Sequence, residues 1–128
     1  KNMLKWRRLV KSFRYAQQGL LKVFHEEQNF AVELLIGLVA VSLAVFLEFS
    51  LIKWAILLLT CGLVLVAELL NSAIERVTDL LKPRLDVYVK EIKDIMAAAV
   101  FLAAGLSIAV GCCLFLPPVI KLFINIFQ

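Results

Sequence analysis

The stretch Glu68-Leu-Leu-Asn71-Ser-Ala-Ile-Glu75-Arg-Val-Thr-Asp79 lies where a long apolar run meets a charged segment. The apolar run, residues 52–70, is long enough to cross a bilayer as an α-helix. At about 100° per residue, the polar side chains of this stretch share one narrow stripe of such a helix: Glu68, Asn71, Glu75 and Asp79. A carboxylate in hydrocarbon is costly and normally faces a protein interior or a wet cavity, so the stripe predicts a functional site.

The composition indicates a small membrane protein. The chain has 128 residues, 62% of them hydrophobic, and this length gives room for one domain. The net charge is +4, and the basic residues flank the apolar runs without aromatic base-stacking motifs. We therefore assign the basic segments to the membrane surface and expect no nucleic-acid partner.

The three cysteines lie within apolar runs, at Cys61, Cys112 and Cys113. None has the spacing of a CxxC or metal-ligand motif, and adjacent cysteines rarely bridge, so we expect all three to pack as small apolar residues. The N-terminal segment is basic for too long to be a secretory signal peptide, and we expect none.

Residues 4–27 form the first predicted element, an amphipathic surface helix. Its apolar side chains, among them Trp6, Phe13 and Phe24, cluster on one face, with most of the basic side chains elsewhere. Such a helix lies in the membrane interface with its basic face toward anionic headgroups. Glu26 or Glu27 then lies at the membrane entrance, where either could meet the Glu68 stripe, although sequence spacing does not decide whether they do.

Three apolar runs are long enough to span a hydrocarbon core of about 30 Å. The predicted spans are residues 30–49, 51–71 and 95–116. We expect the second helix to continue past the membrane to about Leu81, and the third to end at Pro117 and Pro118. The predicted fold class is an all-α membrane protein, with three transmembrane helices plus an N-terminal amphipathic surface helix in a single domain.

The charges around the spans predict their orientation. Seven of the fourteen Lys and Arg residues precede residue 23, and five more lie between Arg76 and Lys93. This bias places the N-terminus in the cytoplasm and the C-terminus outside. Glu33 and Glu48 lie near the two ends of the first span, where we expect both to reach the headgroups. The third span is rich in small residues, which favours close helix packing in a bundle or an oligomer.

The strongest polar clusters all lie on the predicted cytoplasmic side. Carboxylates from different helices suit a hard divalent cation such as Mg²⁺, with phosphate oxygens completing its shell. A positioned carboxylate can act as a general base, and Lys93 suits a phosphate as a point charge. The cluster therefore suggests phosphoryl transfer at the membrane surface, although no Walker A or protein-kinase signature is present. The alternative is that Glu68 and Asn71 only hydrogen-bond between helices and that the other charges are solvated.

A second motif, Lys93-Asp94-Ile-Met-Ala-Ala-Ala-Val100, begins fourteen residues after Asp79. The two motifs resemble those of the prokaryotic diacylglycerol kinase/undecaprenol kinase family, E-[IL]-[LV]-N-[ST]-A-I-E-x-x-x-D followed by A-K-D-x-x-x-A-A/G-V. Upstream segments that also fit are Lys11-Ser12-Phe13, Gly19-Leu20 and Glu27-x-Asn29-Phe30. The similarity covers nearly the whole chain.

This resemblance implies a homotrimer of three-span subunits in the bacterial cytoplasmic membrane, transferring the γ-phosphoryl of MgATP to a lipid hydroxyl. By position in the motif, Glu68 is the expected catalytic base and Asn71 supports the catalytic site. Glu27 and Glu75 are the expected ligands of the divalent metal. Lys93 is expected to meet the ATP phosphates, with Asp94 beside it in the nucleotide site. The resemblance places three further residues near the nucleotide or at the substrate entrance: Asp79, Arg8 and Tyr15.

The resemblance leaves two details open. Arg84-Leu85-Asp86 stands where the family often carries a histidine, so ATP contacts from residues 84–86 are not assigned. Segments 27–30, 50–54 and 115–117 resemble the Gram-positive-type branch, whose members mostly phosphorylate undecaprenol, and diacylglycerol is the alternative acceptor. A reading from another class, a non-catalytic assembly or ion-conduit protein, would be expected to repeat a polar face on more than one span, which the first and third spans lack.

Overall fold

A computed structural model describes residues 6–81 and 86–127, and every element within these ranges is an α-helix. The four helices are α1 (Trp6–Glu26), α2 (Gln28–Phe46), α3 (Leu51–Leu81) and α4 (Asp86–Phe127). By length and composition, α2, α3 and α4 could each cross a membrane. The predicted fold class is therefore confirmed, with three spans that follow an amphipathic helix.

Helix α1 keeps its apolar face uncovered by the rest of the chain. Trp6 and Phe13 are more than 70% exposed, and Val23, near the end of the helix, is its buried residue. An apolar stripe of this kind, opposite a basic face, is suited to the boundary between headgroups and acyl chains. The helix ends at Glu26, and Glu27 has an extended backbone that separates it from α2.

The corner between α2 and α3 is a Schellman turn. The Phe49 N–H donates to the Ala44 carbonyl at 3.1 Å, and the Glu48 N–H donates to the Val45 carbonyl at 3.1 Å. Glu48 occupies the left-handed position of the turn, with φ of 49°. These bonds end α2 at Phe46, three residues before the predicted end of the span, because Phe49 folds back instead of extending the helix.

Phe49 is part of the apolar core at this end of the bundle. Ala44, Phe49, Leu57 and Leu114 are buried against one another, so α2, α3 and α4 all meet here. The Phe49 and Phe115 ring centroids are 4.9 Å apart, and the Lys53 ammonium lies 5.2 Å from the Phe49 centroid. Such aromatic and cation–π contacts add to burial and fix the corner.

Helix α3 is the central element, since it packs most extensively on α4 and also on α2. It runs from the Schellman corner to Leu81, so the predicted extension beyond the apolar run is confirmed. The same helix thus carries apolar residues at one end and the polar stripe at the other.

Helix α4 is longer at both ends than the sequence indicated. It begins at Asp86, nine residues before the predicted span, because the charged segment has a covered face that includes Val89 and Lys93. The prediction that Pro117 and Pro118 end the helix is wrong, since it continues to Phe127. Prolines remove the donors that would meet the carbonyls four residues earlier, but membrane helices tolerate them through neighbouring groups and local adjustments.

Replacing Glu48 with glycine should stabilise the protein, because a left-handed backbone costs a residue with a Cβ about 1 kcal/mol more than it costs glycine. Thermal unfolding of the Glu48→Gly variant in detergent micelles measures the gain. Glu48→Ala is the matched control: it removes the carboxylate but keeps the Cβ, so it should show no gain. A glycine variant less stable than the alanine variant would contradict this account of the corner.

Candidate active site

The buried end of the polar stripe is the Glu68 carboxylate. Glu68 is only 3% exposed, on the face of α3 that α2 covers. Its charge interacts with those of Glu27 and Glu75, and the Asn29 side chain also interacts with it. The structure thus brings together Glu27, Glu68 and Glu75, which the sequence could place only on separate elements or turns.

Glu27 is held in place from α3. Its Oε1 accepts a hydrogen bond from the Ser72 hydroxyl at 3.0 Å and one from an Arg76 Nη2–H group at 3.3 Å. Ser72 is 2% exposed, so this donor is fixed within the packed interior. The break between α1 and α2 is therefore coupled to the motif helix, and it brings the carboxylate of Glu27 to the site.

Asn71 forms a hydrogen bond with Glu75, which lies one helical turn later on α3. Its Nδ2 donates to Glu75 Oε1 at 3.3 Å. Its Oδ1 is buried and accepts no hydrogen bond from the described residues. A buried acceptor without a donor is costly, and functional sites are a common place to find one.

A second pair joins the two sequence motifs. Lys93 Nζ of α4 lies 2.7 Å from Asp79 Oδ1 of α3 and donates a hydrogen bond to it. Asp94 follows on an exposed face of α4, beside Lys90 and Ala98 along a shallow groove. The ammonium group of Lys93 therefore stands at the outer end of the stripe, where the Asp79 side chain is 58% exposed.

The remaining predicted residues are not drawn into these contacts. Arg8 and Tyr15 are exposed on α1, and neither forms a hydrogen bond or ion pair with another described residue. Arg84 and Leu85 lie outside the described residues, as does the side chain of Asp86. The expected nucleotide contacts of Arg8 and Tyr15 stay predictions.

Sequence reasoning missed a fourth carboxylate, Glu33. We expected it to reach the headgroups, but its Oε2 is buried without a hydrogen-bond partner among the described residues, and its charge interacts with that of Glu68. It borders an apolar cavity of about 310 Å³ between α2, α3 and α4. The signal was present, because Glu33 begins a stripe of small residues, Gly37, Ala40 and Ala44, that faces the other spans.

The oxygen atoms present suit a hard divalent cation. Within residues 6–81 and 86–127, no group of three or more His, Cys, Asp or Glu side chains is already arranged as a metal site. Two carboxylates, Glu27 and Glu75, and the unpartnered Asn71 Oδ1 are nevertheless the donor types that Mg²⁺ prefers, with phosphate oxygens and water filling its octahedral shell. The donor set therefore fits a cation that arrives with a phosphate ligand.

Chemically, the arrangement combines three capacities. A buried carboxylate can take a proton from a group inside the membrane boundary. Oxygen donors beside it can share a cation with a polyphosphate, and Lys93 of α4, which pairs with Asp79 at the outer end of the stripe, can neutralise phosphate charge. The alternative of purely structural hydrogen bonds accounts for the Asn29–Glu68 contact but leaves the orphaned Asn71 Oδ1 unexplained.

Comparison with known proteins places these residues within a family. Residues 14–115 match the family model described as prokaryotic diacylglycerol kinase. A diacylglycerol kinase of Synechocystis is 39% identical over 117 residues, covering 91% of this chain and 67% of that protein. The undecaprenol kinase of Bacillus subtilis is 34% identical over 110 residues, covering 86% and 89%.

The Escherichia coli diacylglycerol kinase is 32% identical over 107 residues, covering 84% of this chain and 88% of its own. All of these matches include the polar stripe and the helices that hold it, since each spans most of the chain. The resemblance read from the two motifs is therefore confirmed across the length of the sequence. The chain belongs to the prokaryotic diacylglycerol kinase family, and it is a membrane lipid kinase.

Proposed function

We propose that the protein transfers the γ-phosphoryl group of ATP, with Mg²⁺, to the hydroxyl of a membrane lipid at the cytoplasmic face of a bacterial membrane. The observation that carries this proposal is the buried Glu68 carboxylate grouped with Glu27 and Glu75 at one end of three apolar helices. A lipid hydroxyl stays at the membrane boundary, whereas a nucleotide stays in water. Helix α3 spans both regions, so one element can meet both substrates.

In this mechanism Glu68 is the general base. Its carboxylate accepts the proton of the lipid hydroxyl while the hydroxyl oxygen forms a bond to the γ-phosphorus of ATP. The bond from that phosphorus to the bridging oxygen breaks, and ADP leaves with the electron pair. Asn71 positions Glu75 through the hydrogen bond from its Nδ2. Phosphoryl transfer depends mainly on such positioning and on charge neutralisation.

The negative charge of the phosphates would be neutralised at two positions along the stripe. Glu27, Glu75 and Asn71 Oδ1 would hold Mg²⁺, which supplies neutralisation of the β- and γ-phosphate oxygens when it is bound. Lys93 would leave Asp79 for a phosphate oxygen, with Asp94 beside it. Arg8 and Tyr15 are assigned to the nucleotide or to the substrate entrance on the basis of their motif positions alone.

We also propose that the subunits form a homotrimer, with the N-terminus in the cytoplasm. Most of the large apolar side chains of α2 and α4 are exposed in the single chain, so they face lipid or another subunit. The small residues along α4 permit close approach between helices. The concentration of Lys and Arg near the polar cluster supports the orientation.

Two lipid acceptors are supported by different observations. Segments 27–30, 50–54 and 115–117 favour undecaprenol, and the Bacillus subtilis relative carries the name of an undecaprenol kinase. Diacylglycerol is favoured by the relative from Synechocystis, which has the higher identity of the two. We retain undecaprenol as the first candidate and diacylglycerol as the second.

Replacing Glu68 with glutamine should reduce lipid-dependent ATP consumption by about 10²- to 10⁴-fold, the usual contribution of a general base, because the amide cannot take the hydroxyl proton. The assay compares turnover of purified variants at saturating MgATP. Glu48→Gln is the matched control, since it makes the same change in the corner between α2 and α3, at the other end of the bundle, and should retain activity. Full activity in Glu68→Gln would remove Glu68 as the base.

Replacing Glu75 with glutamine should raise the Mg²⁺ concentration needed for half-maximal activity by about tenfold or more, because one anionic oxygen ligand becomes a neutral one. The measurement is a Mg²⁺ titration at fixed ATP. Retention of the wild-type Mg²⁺ dependence would show that Glu75 is not a ligand.

The preference between the two lipid acceptors can be measured directly. With equal mole fractions of each lipid in mixed micelles, we expect undecaprenol to be phosphorylated faster than diacylglycerol, as measured by transfer of labelled γ-phosphate to the lipid fraction. Equal rates, or a preference for diacylglycerol, would contradict the argument from the three motif segments. Either result leaves the kinase activity itself in place.

A further inference from the structure

Arg76 contacts two carboxylates where α1, α2 and α3 meet. Its Nη2 lies 2.9 Å from Glu26 Oε2 and 3.3 Å from Glu27 Oε1. The family motif leaves this position open, since Arg76 occupies an x between the positions of Glu75 and Asp79. The motif therefore gives this guanidinium no role, although it touches the side chain assigned above to the metal.

Arg76 and Ser72 both hold the Glu27 carboxylate, but they contribute in different ways. Both donate to the same oxygen, Oε1, but Ser72 is 2% exposed and fixed by packing, whereas the Arg76 side chain is 38% exposed. The hydroxyl can keep the carboxylate in place without Arg76. What Arg76 alone adds to Glu27 is a positive charge.

We propose that Arg76 serves as an internal counter-ion for Glu27 and lowers the affinity of the empty site for free divalent cations. The proposal rests on the assignment of Glu27 as a metal ligand. A guanidinium and a divalent cation compete for the same carboxylate charge, so an ion pair already formed weakens cation binding. The site thereby discriminates against a cation that arrives without nucleotide.

Binding of a nucleotide changes the competition between Arg76 and the cation for the Glu27 carboxylate. A polyphosphate offers the guanidinium an anionic, bidentate partner, which suits arginine better than a single shared carboxylate oxygen. Arg76 can then turn from Glu27 to a phosphate while the cation takes the freed carboxylate. Cation and nucleotide therefore bind cooperatively, and Arg76 carries part of the coupling between them.

The test is Mn²⁺ binding to the purified, nucleotide-free protein in detergent, measured from the electron paramagnetic resonance signal of the free ion. Arg76→Gln should bind Mn²⁺ about five- to tenfold more tightly than the wild type, the range expected for loss of one unit charge beside a partly solvated site. Arg76→Lys keeps the charge and should stay near the wild-type affinity. Arg76→Met, which keeps part of the apolar stem, is a second neutral variant with the same expected direction.

Lys22→Gln is the matched control. It removes the same charge from the same cluster, but Lys22 Nζ lies 4.0 Å from Glu26 Oε1 and makes no ion pair with Glu27. Its Mn²⁺ affinity should stay within about twofold of the wild type, because an exposed ion pair contributes little free energy. A non-hydrolysable ATP analogue should tighten Mn²⁺ binding more in the wild type than in Arg76→Gln.

The outcomes separate this inference from the proposed function. If Glu27→Gln loses Mn²⁺ affinity while both neutral Arg76 variants bind like the wild type or more weakly, the role of Arg76 is wrong and the metal assignment stands. If Glu27→Gln binds Mn²⁺ like the wild type, the metal assignment itself fails and takes this inference with it. Thermal unfolding of each variant confirms that the compared proteins are folded.

Discussion

The hydrogen bond from Ser72 to Glu27 is the contact on which the polar end of the molecule depends. It joins residues 45 positions apart and fixes the break between the surface helix and the first span against the motif helix. Ser72 is among the most completely buried side chains, so the bond has little freedom to shift. Without it, Glu27 would keep its contact with Arg76, whose side chain is 38% exposed, but would lose its buried hydrogen-bond donor.

The spacing of the polar residues in the sequence of α3 sets how far apart they lie along the helix axis. The eleven residue steps from Glu68 to Asp79 correspond to about 16.5 Å along a helix axis at 1.5 Å per residue. Over that distance the environment changes from a buried carboxylate, 3% exposed, to an aspartate side chain that is 58% exposed. A single helix thus holds the buried Glu68 carboxylate and the exposed Asp79 carboxylate, and their separation is set by the helix and not by a loop.

The sequence predicted correctly those features that depend on helical periodicity. It did not predict those that depend on packing between residues far apart in the chain. The stripe on α3 and its extension to Leu81 follow from helical geometry and were found where expected. The end of α2 at Phe46 depends on a Schellman turn with Glu48 in a left-handed backbone, which glycine would have signalled and glutamate does not. The buried position of Glu33 depends on which face of α2 meets α3, and hydropathy placed it with the headgroups.

The two ends of the bundle are held by different forces, and this difference bears on function. At the corner, Ala44, Phe49, Leu57 and Leu114 form an apolar core with an aromatic contact to Phe115, so that end is stabilised without any charged group being buried. At the other end, carboxylates crowd around Glu68, and their mutual repulsion opposes the packing that brings them together.

Hydrogen bonds from Ser72 and Asn71 and the ion pairs of Arg76 and Lys93 offset that repulsion in part. The orphaned Asn71 Oδ1 shows that the polar end is not fully satisfied by its own side chains. The proposed Mg²⁺ would offset carboxylate charge at this end and would take Asn71 Oδ1 as a ligand, whereas the apolar core of the corner offers it no oxygen ligand. Under the proposed function, ligand binding would therefore stabilise the polar end of the bundle more than the apolar corner.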